Sequence, residues 1–349
     1  MIATPAAASG VVGRVRARHR RRERRVVLGL AAALVVVAAL GLCVGAYAIS
    51  PAEVLRTLAG RGDGLEEVIV MRIRLPRLVL ALLVGAALAL SGALFQSLLD
   101  NPLASPDIMG ISGGASAAAV FALIGLGLGG AAVSGAAFLG GAAAALAIYL
   151  LAWRDGLSGY RFVLIGIGVA FMTMAAVEYL LTRSDVRQAQ TAWVWLVGSV
   201  GSATWDEIAI LAVILAVLLP LVGLAAPSLR ALQLGDEAAA GLGEPVERAR
   251  LAVIVLAVAL AAAGIAAAGP VAFVAFVSAP IARRLSGAGT LALVPAALTG
   301  ALVVSAADFT ALHLVPGGVQ LPAGVVTGAI GATYLLWLLA VTGRAEARR

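Results

Sequence analysis

Ser112 stands in Gly110-Ile111-Ser112-Gly113-Gly114, which fits G-x-S-x-G, the turn that presents a hydrolase serine. Such a serine needs a histidine base and an acidic partner to orient it. The chain has two histidines. His19 lies in a basic N-terminal stretch, and His313 closes the ninth apolar segment, on the face opposite to Ser112. Close packing is the better reading, because Gly113, Gly114, Ala115, Ser116 and Ala117 let helix backbones approach. Gly125, Gly127 and Gly130 spell G-x-G-x-x-G. No strand precedes them and no acidic residue is placed for a ribose, so they read as a turn. Cys43 is the only cysteine, which leaves neither an intrachain disulfide nor a thiolate metal site. No lysine occurs: all 25 basic residues are arginine. A P-loop needs a lysine on the phosphates, so any ATP-driven engine must be another subunit. No catalytic residue and no metal ligand set is assigned.

The charges that remain sit at particular places. Arg72, Arg74 and Arg77 form a collar before an apolar run, with Pro76 inside it. Glu178 lies near the outer end of the fifth apolar segment and Asp308 in the outer part of the ninth. Burying either costs about 2.5–3.5 kcal/mol, so each is expected to face protein or water. An ion-coupled carrier would want acidic groups near the midplane, and these two are peripheral.

Composition fixes what must position these groups. The chain is 62% hydrophobic and 12% charged, where soluble domains carry about twice that charge. Its mean hydropathy is +1.04. Apolar runs near 20 residues recur without the alternation of a barrel strand, which predicts an all-α polytopic membrane protein. Segments at 26–48, 76–98, 106–128, 131–152, 161–182, 206–225, 249–268, 270–285, 291–313 and 322–342 give about ten transmembrane helices. An even number puts both termini on one side. Eighteen arginines then fall inside and seven outside, which makes both termini cytoplasmic. Residues 1–25 read as a disordered basic tail rather than a nucleic-acid arm, 26–342 as the transmembrane domain, and 343–349 as a short tail. Pro51 is expected to open a short outside helix. The run Ala192–Gly201, among Trp193, Trp195 and Trp205, is expected to be an interfacial or re-entrant helix.

The inside loop 227–250 reads as helix–turn–helix. Asp236 and Glu237 suit a first helical turn. Ala238 to Ala240 propagate a helix, Gly241 and Gly243 stop it, and Pro245 can begin a second short helix. The stretch 100–106 holds Pro102 and Pro106, which a helix cannot traverse smoothly. A second proline-interrupted segment runs from Gly269 to Pro280, which suggests internal duplication.

Three ordered stretches carry a resemblance. The first is Arg74-Leu75-Pro76-Arg77 with the glycine-rich run to Gln96 and Asn101-Pro102-Leu103-Ala104-Ser105-Pro106-Asp107-Ile108-Met109-Gly110. The second is Leu232-Gln233-Leu234-Gly235-Asp236-Glu237-Ala238 through Leu242-Gly243. The third is Ala268-Gly269-Pro270 through Ala279-Pro280-Ile281-Ala282-Arg283-Arg284-Leu285. Together they resemble the FecCD family, the permeases of iron–siderophore and cobalamin ABC importers, over roughly residues 30–342. Asp308 matches a family aspartate. Leu312 stands where the family has arginine, and Gln320 where it has glutamate.

The resemblance implies a multi-pass protein of the bacterial cytoplasmic membrane, embedded in the lipid bilayer. It is expected to pair with a second permease chain, identical or related, two ATPase subunits and an extracytoplasmic substrate-binding protein. No cofactor is expected on this chain, since ATP and Mg would sit on the partner ATPase. Segment 227–246, with Leu234, Gly235, Asp236, Glu237, Ala238, Leu242 and Gly243, is expected to couple to the ATPase. Arg74 and Arg77 are expected to dock the binding protein, and to tolerate charge reversal without loss of insertion. Gln96, Asn101, Pro102, Pro106, Gly110, Gly269, Pro270 and Asp308 are the implied structural motif. A ferric siderophore is the expected cargo, with heme or cobalamin as alternatives and an ion-coupled secondary transporter as the rival class.

Overall fold

A computed structural model describes residues 5–154, 159–287, 289–315 and 320–346. The described chain forms fourteen α-helices. Seven are long and apolar enough to cross a bilayer: α1 (Pro5–Cys43), α4 (Leu75–Leu98), α6 (Ala131–Ala152), α7 (Gly159–Arg183), α9 (Trp205–Leu232), α11 (Val246–Ala268) and α13 (Leu293–His313). Two shorter apolar stretches belong to α5 (Ile111–Val120), which a π-wound turn extends to Gly125, and α14 (Ala323–Glu346). The half-length α12 (Val274–Ser286) completes the ten expected segments. The others are α2 (Pro51–Leu58), α3 (Gly64–Glu67), α8 (Val186–Val197) and α10 (Asp236–Gly241).

Helices α4 and α11 are mostly buried, whereas α1 and α7 present most of their surface outward. Small residues make the centre possible. A Cβ on Gly92 would collide with the Ala275 carbonyl of α12, and Gly85 and Gly300 exclude each other's Cβ where α4 crosses α13. Backbones approach this closely only where no side chain intervenes, so van der Waals packing replaces the hydrophobic drive that lipid cannot supply. Gly114 and Gly140 do the same between α5 and α6, as the small-residue run after Ser112 predicts.

Three expectations change. The basic stretch 1–25 is helical from Pro5 and continuous with the first span. A span already supplies the nucleus, so alanines and arginines simply propagate it. Helix α9 runs through Pro220 and Pro227 to Leu232, beyond the expected end of its span, because neighbouring groups in membrane proteins re-satisfy the backbone that a proline frees. Pro245 therefore begins no short helix; it caps the long span α11. Residues 1–4 and 347–349 of the two expected tails lie outside the described residues.

Candidate functional site

Three places on the outer, middle and inner parts of α4 gather the functional candidates. At the outer end, a π-wound stretch Val68–Arg74 leads directly into α4 and carries the collar. Arg77 lies one turn inside it and grips Asp308 of α13 through two parallel bonds. Nε donates to Oδ2 at 2.7 Å and Nη2 to Oδ1 at 2.8 Å. The side chains are 15% and 9% exposed, so this is a largely buried fork–fork pair. Arg74 donates to the Leu42 and Tyr47 carbonyl oxygens. Its charge thus caps the last turn of α1, where carbonyls are orphaned and the dipole is negative. Both arginines expected to face a binding protein are bonded within the chain, and Arg72, Arg56 and Arg61 are the exposed ones. Sequence reasoning placed Arg77 and Asp308 separately. Two lone opposite charges at the outer ends of apolar segments were the signal that could have joined them.

In the middle, both helix breaks are built by local bonds. Asp100 is left-handed at φ 43, and Asn101 turns the chain by accepting Leu103 N–H at 2.9 Å. Pro102 is exposed and Pro106 buried. The Pro106 carbonyl accepts Ile111 N–H at 3.1 Å. Gly110, at φ 75, has no room for a Cβ, which would sit 2.7 Å from the Gly166 carbonyl of α7. Ser112 donates to the Asp107 carboxylate at 2.6 Å, so its hydroxyl caps a turn and faces no imidazole. The backbone of Phe273, at the start of α12, lies beside the same carboxylate. The two proline-interrupted segments therefore meet.

The second break opens at Gly269, φ 70, pressed against the Trp195 carbonyl of α8. Pro270 lies beside Gly198, and Ser199 N–H closes onto Ala268 O at 2.7 Å. The expected interfacial segment is thus a real helix, α8, begun earlier at Val186 by its Asp185 cap and wedged against this break. Gln96 joins α4 to α12: its amide donates to Phe276 O at 3.1 Å, and its carbonyl oxygen accepts from Arg283. Arg283 also reaches Ser97 Oγ at 3.3 Å.

At the inner end, α10 packs one face on the bundle and leaves the other exposed. Gly235 (φ 93) and Gly243 (φ 84) supply the left-handed turns on either side of it. Both Asp236 carboxylate oxygens accept from one nitrogen, Nη2 of Arg250 on α11, at 2.7 and 2.8 Å. Arg250 also meets Glu247 at 2.8 Å. Ala239 is buried with Leu232, Ala249 and the α4 residue Leu98. Ala238 and Glu237 are exposed, and Leu234 and Leu242 are 64% and 70% exposed. The exposed Leu234 and Leu242 thus flank a short helix that is held to the bundle through Ala239.

The chain as a whole matches known proteins. The model of the FecCD transport family matches residues 33–341. This chain belongs to the FecCD transport family. It is 41% identical over 319 residues to the ferric enterobactin transport system permease protein FepG of Escherichia coli (strain K12), covering 91% of this chain and 96% of that one. It is 45% identical over 320 residues to the achromobactin transport system permease protein CbrC of Dickeya dadantii (strain 3937), covering 90% of each. A solved structure described as an inward-facing conformation of a metal-chelate type ABC transporter superposes with a TM-score of 0.74 at 26% identity, over 91% of this chain and 99% of that one. The FecCD chain is accordingly an all-helical transport subunit, an ABC permease rather than an enzyme. A permease of this kind works in a complex with further permease and ATPase subunits.

Proposed function

We propose that this chain is the permease of an importer for ferric siderophores in the bacterial cytoplasmic membrane. Its partners in this reading are a second permease chain, two ATPase subunits that hold ATP and Mg, and an external binding protein. The observation that carries it is α10, a helix flanked by the exposed Leu234 and Leu242 and held to the bundle by Arg250 and Ala239. The cargo is inferred from the relatives, which are named for ferric enterobactin, achromobactin and hydroxamate transport.

Coupling follows from packing. An ATPase that closes on α10 pulls at Leu98 and Ala249, hence at α4 and α11 together. Helix α4 carries Gln96 with it, and Gln96 holds the start of α12. Motion at the inner surface therefore reaches the meeting point of the two breaks, where backbone is least constrained by helix bonds. The outer face receives the binding protein through exposed Arg56, Arg61 and Arg72. Arg74 and Arg77 contribute from behind by fixing that face.

Reconstitution with its ATPase and binding protein tests the reading. Uptake of an iron-loaded siderophore should need ATP and should survive a protonophore. Mass spectrometry of the ligand on the co-purified binding protein should find a ferric chelate. Heme or cobalamin there would replace the cargo, and uptake abolished by the protonophore with ATP intact would overturn the class.

A further inference from the structure

Between the outer ends of α1, α4 and α13 lies a well of about 330 Å³ that plays no part in the proposed coupling path. Its walls are apolar where Val37, Leu78 and Ala81 line it, and its rim is polar where Arg74, His313 and Gln320 do. Two groups in it are unbalanced. Arg74 bonds only to carbonyl oxygens, and no ion pair among the described residues includes it. Its neighbour Arg77 is matched by Asp308. The well therefore keeps one net positive charge in a half-buried setting, and a cation so placed favours an anion beside it. The second group is Ser305. It lines the same well, is 5% exposed, and its hydroxyl has no hydrogen-bond partner. A buried hydroxyl left unpaired is unfavourable, and a ligand oxygen would relieve it.

We propose that this well binds a phosphate ester, its oxyanion held at the rim by Arg74 and its ester-linked stem by the Ser305 hydroxyl below. The spacing bears on the source. Arg74 precedes Arg77 by one turn of helix, and Ser305 precedes its partner Asp308 by one turn in the antiparallel helix. The two groups are thus separated by two turns along the bundle, about 9 Å of helix rise. A bare phosphate meets one of them. A phosphate carrying an ester-linked stem meets both and lays the stem along Val37 and Ala81. Helix α1 forms one wall and is also the span most open to lipid, together with α7. An anionic phospholipid of the outer leaflet, a phosphatidylglycerol for example, has this shape and charge. Inorganic phosphate shares only the charge.

The test uses the full chain in a neutral detergent, with ligand-induced rise in unfolding temperature and native mass spectrometry as readouts. The probes are dihexanoyl-phosphatidylglycerol, inorganic phosphate, and dihexanoylglycerol, which has the stem without the phosphate. Phosphatidylglycerol should saturate at one per chain, inorganic phosphate should bind more weakly at the same place, and dihexanoylglycerol should do nothing. Ser305→Ala should weaken phosphatidylglycerol by about 5-fold, one net hydrogen bond. It has no internal partner to lose, so the fold is spared. Arg74→Gln should remove both anions. Equal shifts from phosphate and phosphatidylglycerol, both lost in Arg74→Gln, would keep the oxyanion site and make the free ion its ligand. Binding unchanged in both variants, or dihexanoylglycerol matching phosphatidylglycerol, overturns the proposal. Transport is not a readout, so this outcome is separate from the failure of the import reading.

Discussion

The outer collar and the inner helix α10 both pair an arginine with an aspartate, but to opposite ends: Arg77 forks onto Asp308 through two nitrogens, whereas Arg250 reaches both Asp236 oxygens through one and gives the other to Glu247. At the collar, Arg77 and Asp308 are both largely withdrawn from water, and the pair locks α4 to α13. At α10, Arg250 is withdrawn but Asp236 is not, with 14% and 61% of the side chains exposed. The first pair holds two spans in register. The second positions a six-residue helix that has too few internal bonds to persist alone. Each pair's worth should differ accordingly. Breaking a buried pair leaves an uncompensated charge and costs about 3–5 kcal/mol, whereas a solvated one is worth about 0–1 kcal/mol.

The sharpest way to break this contrast is Arg77→Glu. Charge reversal there sets two carboxylates against each other in a closed site. Expression and thermal stability should collapse, with a destabilisation of about 3–5 kcal/mol, and Asp308→Arg in the same chain should restore much of it. Monodispersity and unfolding temperature of the two single variants and the swap decide the matter. A stable Arg77→Glu protein that merely captures its binding protein less well would return Arg77 to the outer surface, where the sequence alone had put it.

The next effect is functional. Replacing Leu234 and Leu242 by Asp should leave insertion and unfolding temperature unchanged, because both side chains already face solvent. ATPase co-purification should fall to background. If the complex still assembles, the docking surface lies elsewhere. Asp236→Asn should do less. It should keep the fold and lower ATPase-coupled turnover a few-fold, with the loss growing at low salt, where the wild-type pair is strongest. A salt series showing parallel curves for both proteins would mean that Arg250 does not set the position of α10.

These outcomes also mark what could be read from the chain alone. The ten segments were legible because length and hydropathy decide a membrane span. Gly235, Gly243 and the alanines between them announced α10, since local backbone preference dominates a short exposed unit. The breaks at Asn101–Pro106 and Gly269–Pro280 were legible through proline for the same reason. Their meeting through Asp107 and Phe273 was not, because contacts between segments far apart in sequence leave no local trace. The internal bonds of the collar were hidden for a related reason. Arg74 and Arg77 look like surface cations in any linear reading, and only the fold brings Leu42, Tyr47 and Asp308 to them. Helix α1 erred in the other direction: arginine density reads as solvation, while an adjoining span removes the nucleation cost that would keep such a segment unwound.

The smallest expected effect lies in the outside segment that precedes the collar. Ser50 and Glu53 close a reciprocal box on α2: Ser50 N–H donates to the Glu53 carboxylate at 2.7 Å, and Glu53 N–H to the Ser50 hydroxyl at 3.3 Å. The Ser50 bonds, hydroxyl first and backbone second, hold the Glu53 carboxyl below its ordinary value. A carboxylate whose folded value is depressed contributes its stability above the ordinary value of about 4.3, and loses it as pH falls through the lowered one. Helix α2 should therefore be fully capped at neutral pH and should fray only in acid. Glu53→Gln retains an acceptor but has no proton to take up. It should make the fraying independent of pH while leaving α4 and the Arg77 pair untouched. Amide exchange across 51–58 between pH 7 and pH 3 reads this directly. Identical pH dependence in the wild type and in Glu53→Gln would show that the box does not govern α2, and that Arg74, tied to the Tyr47 carbonyl just upstream, does.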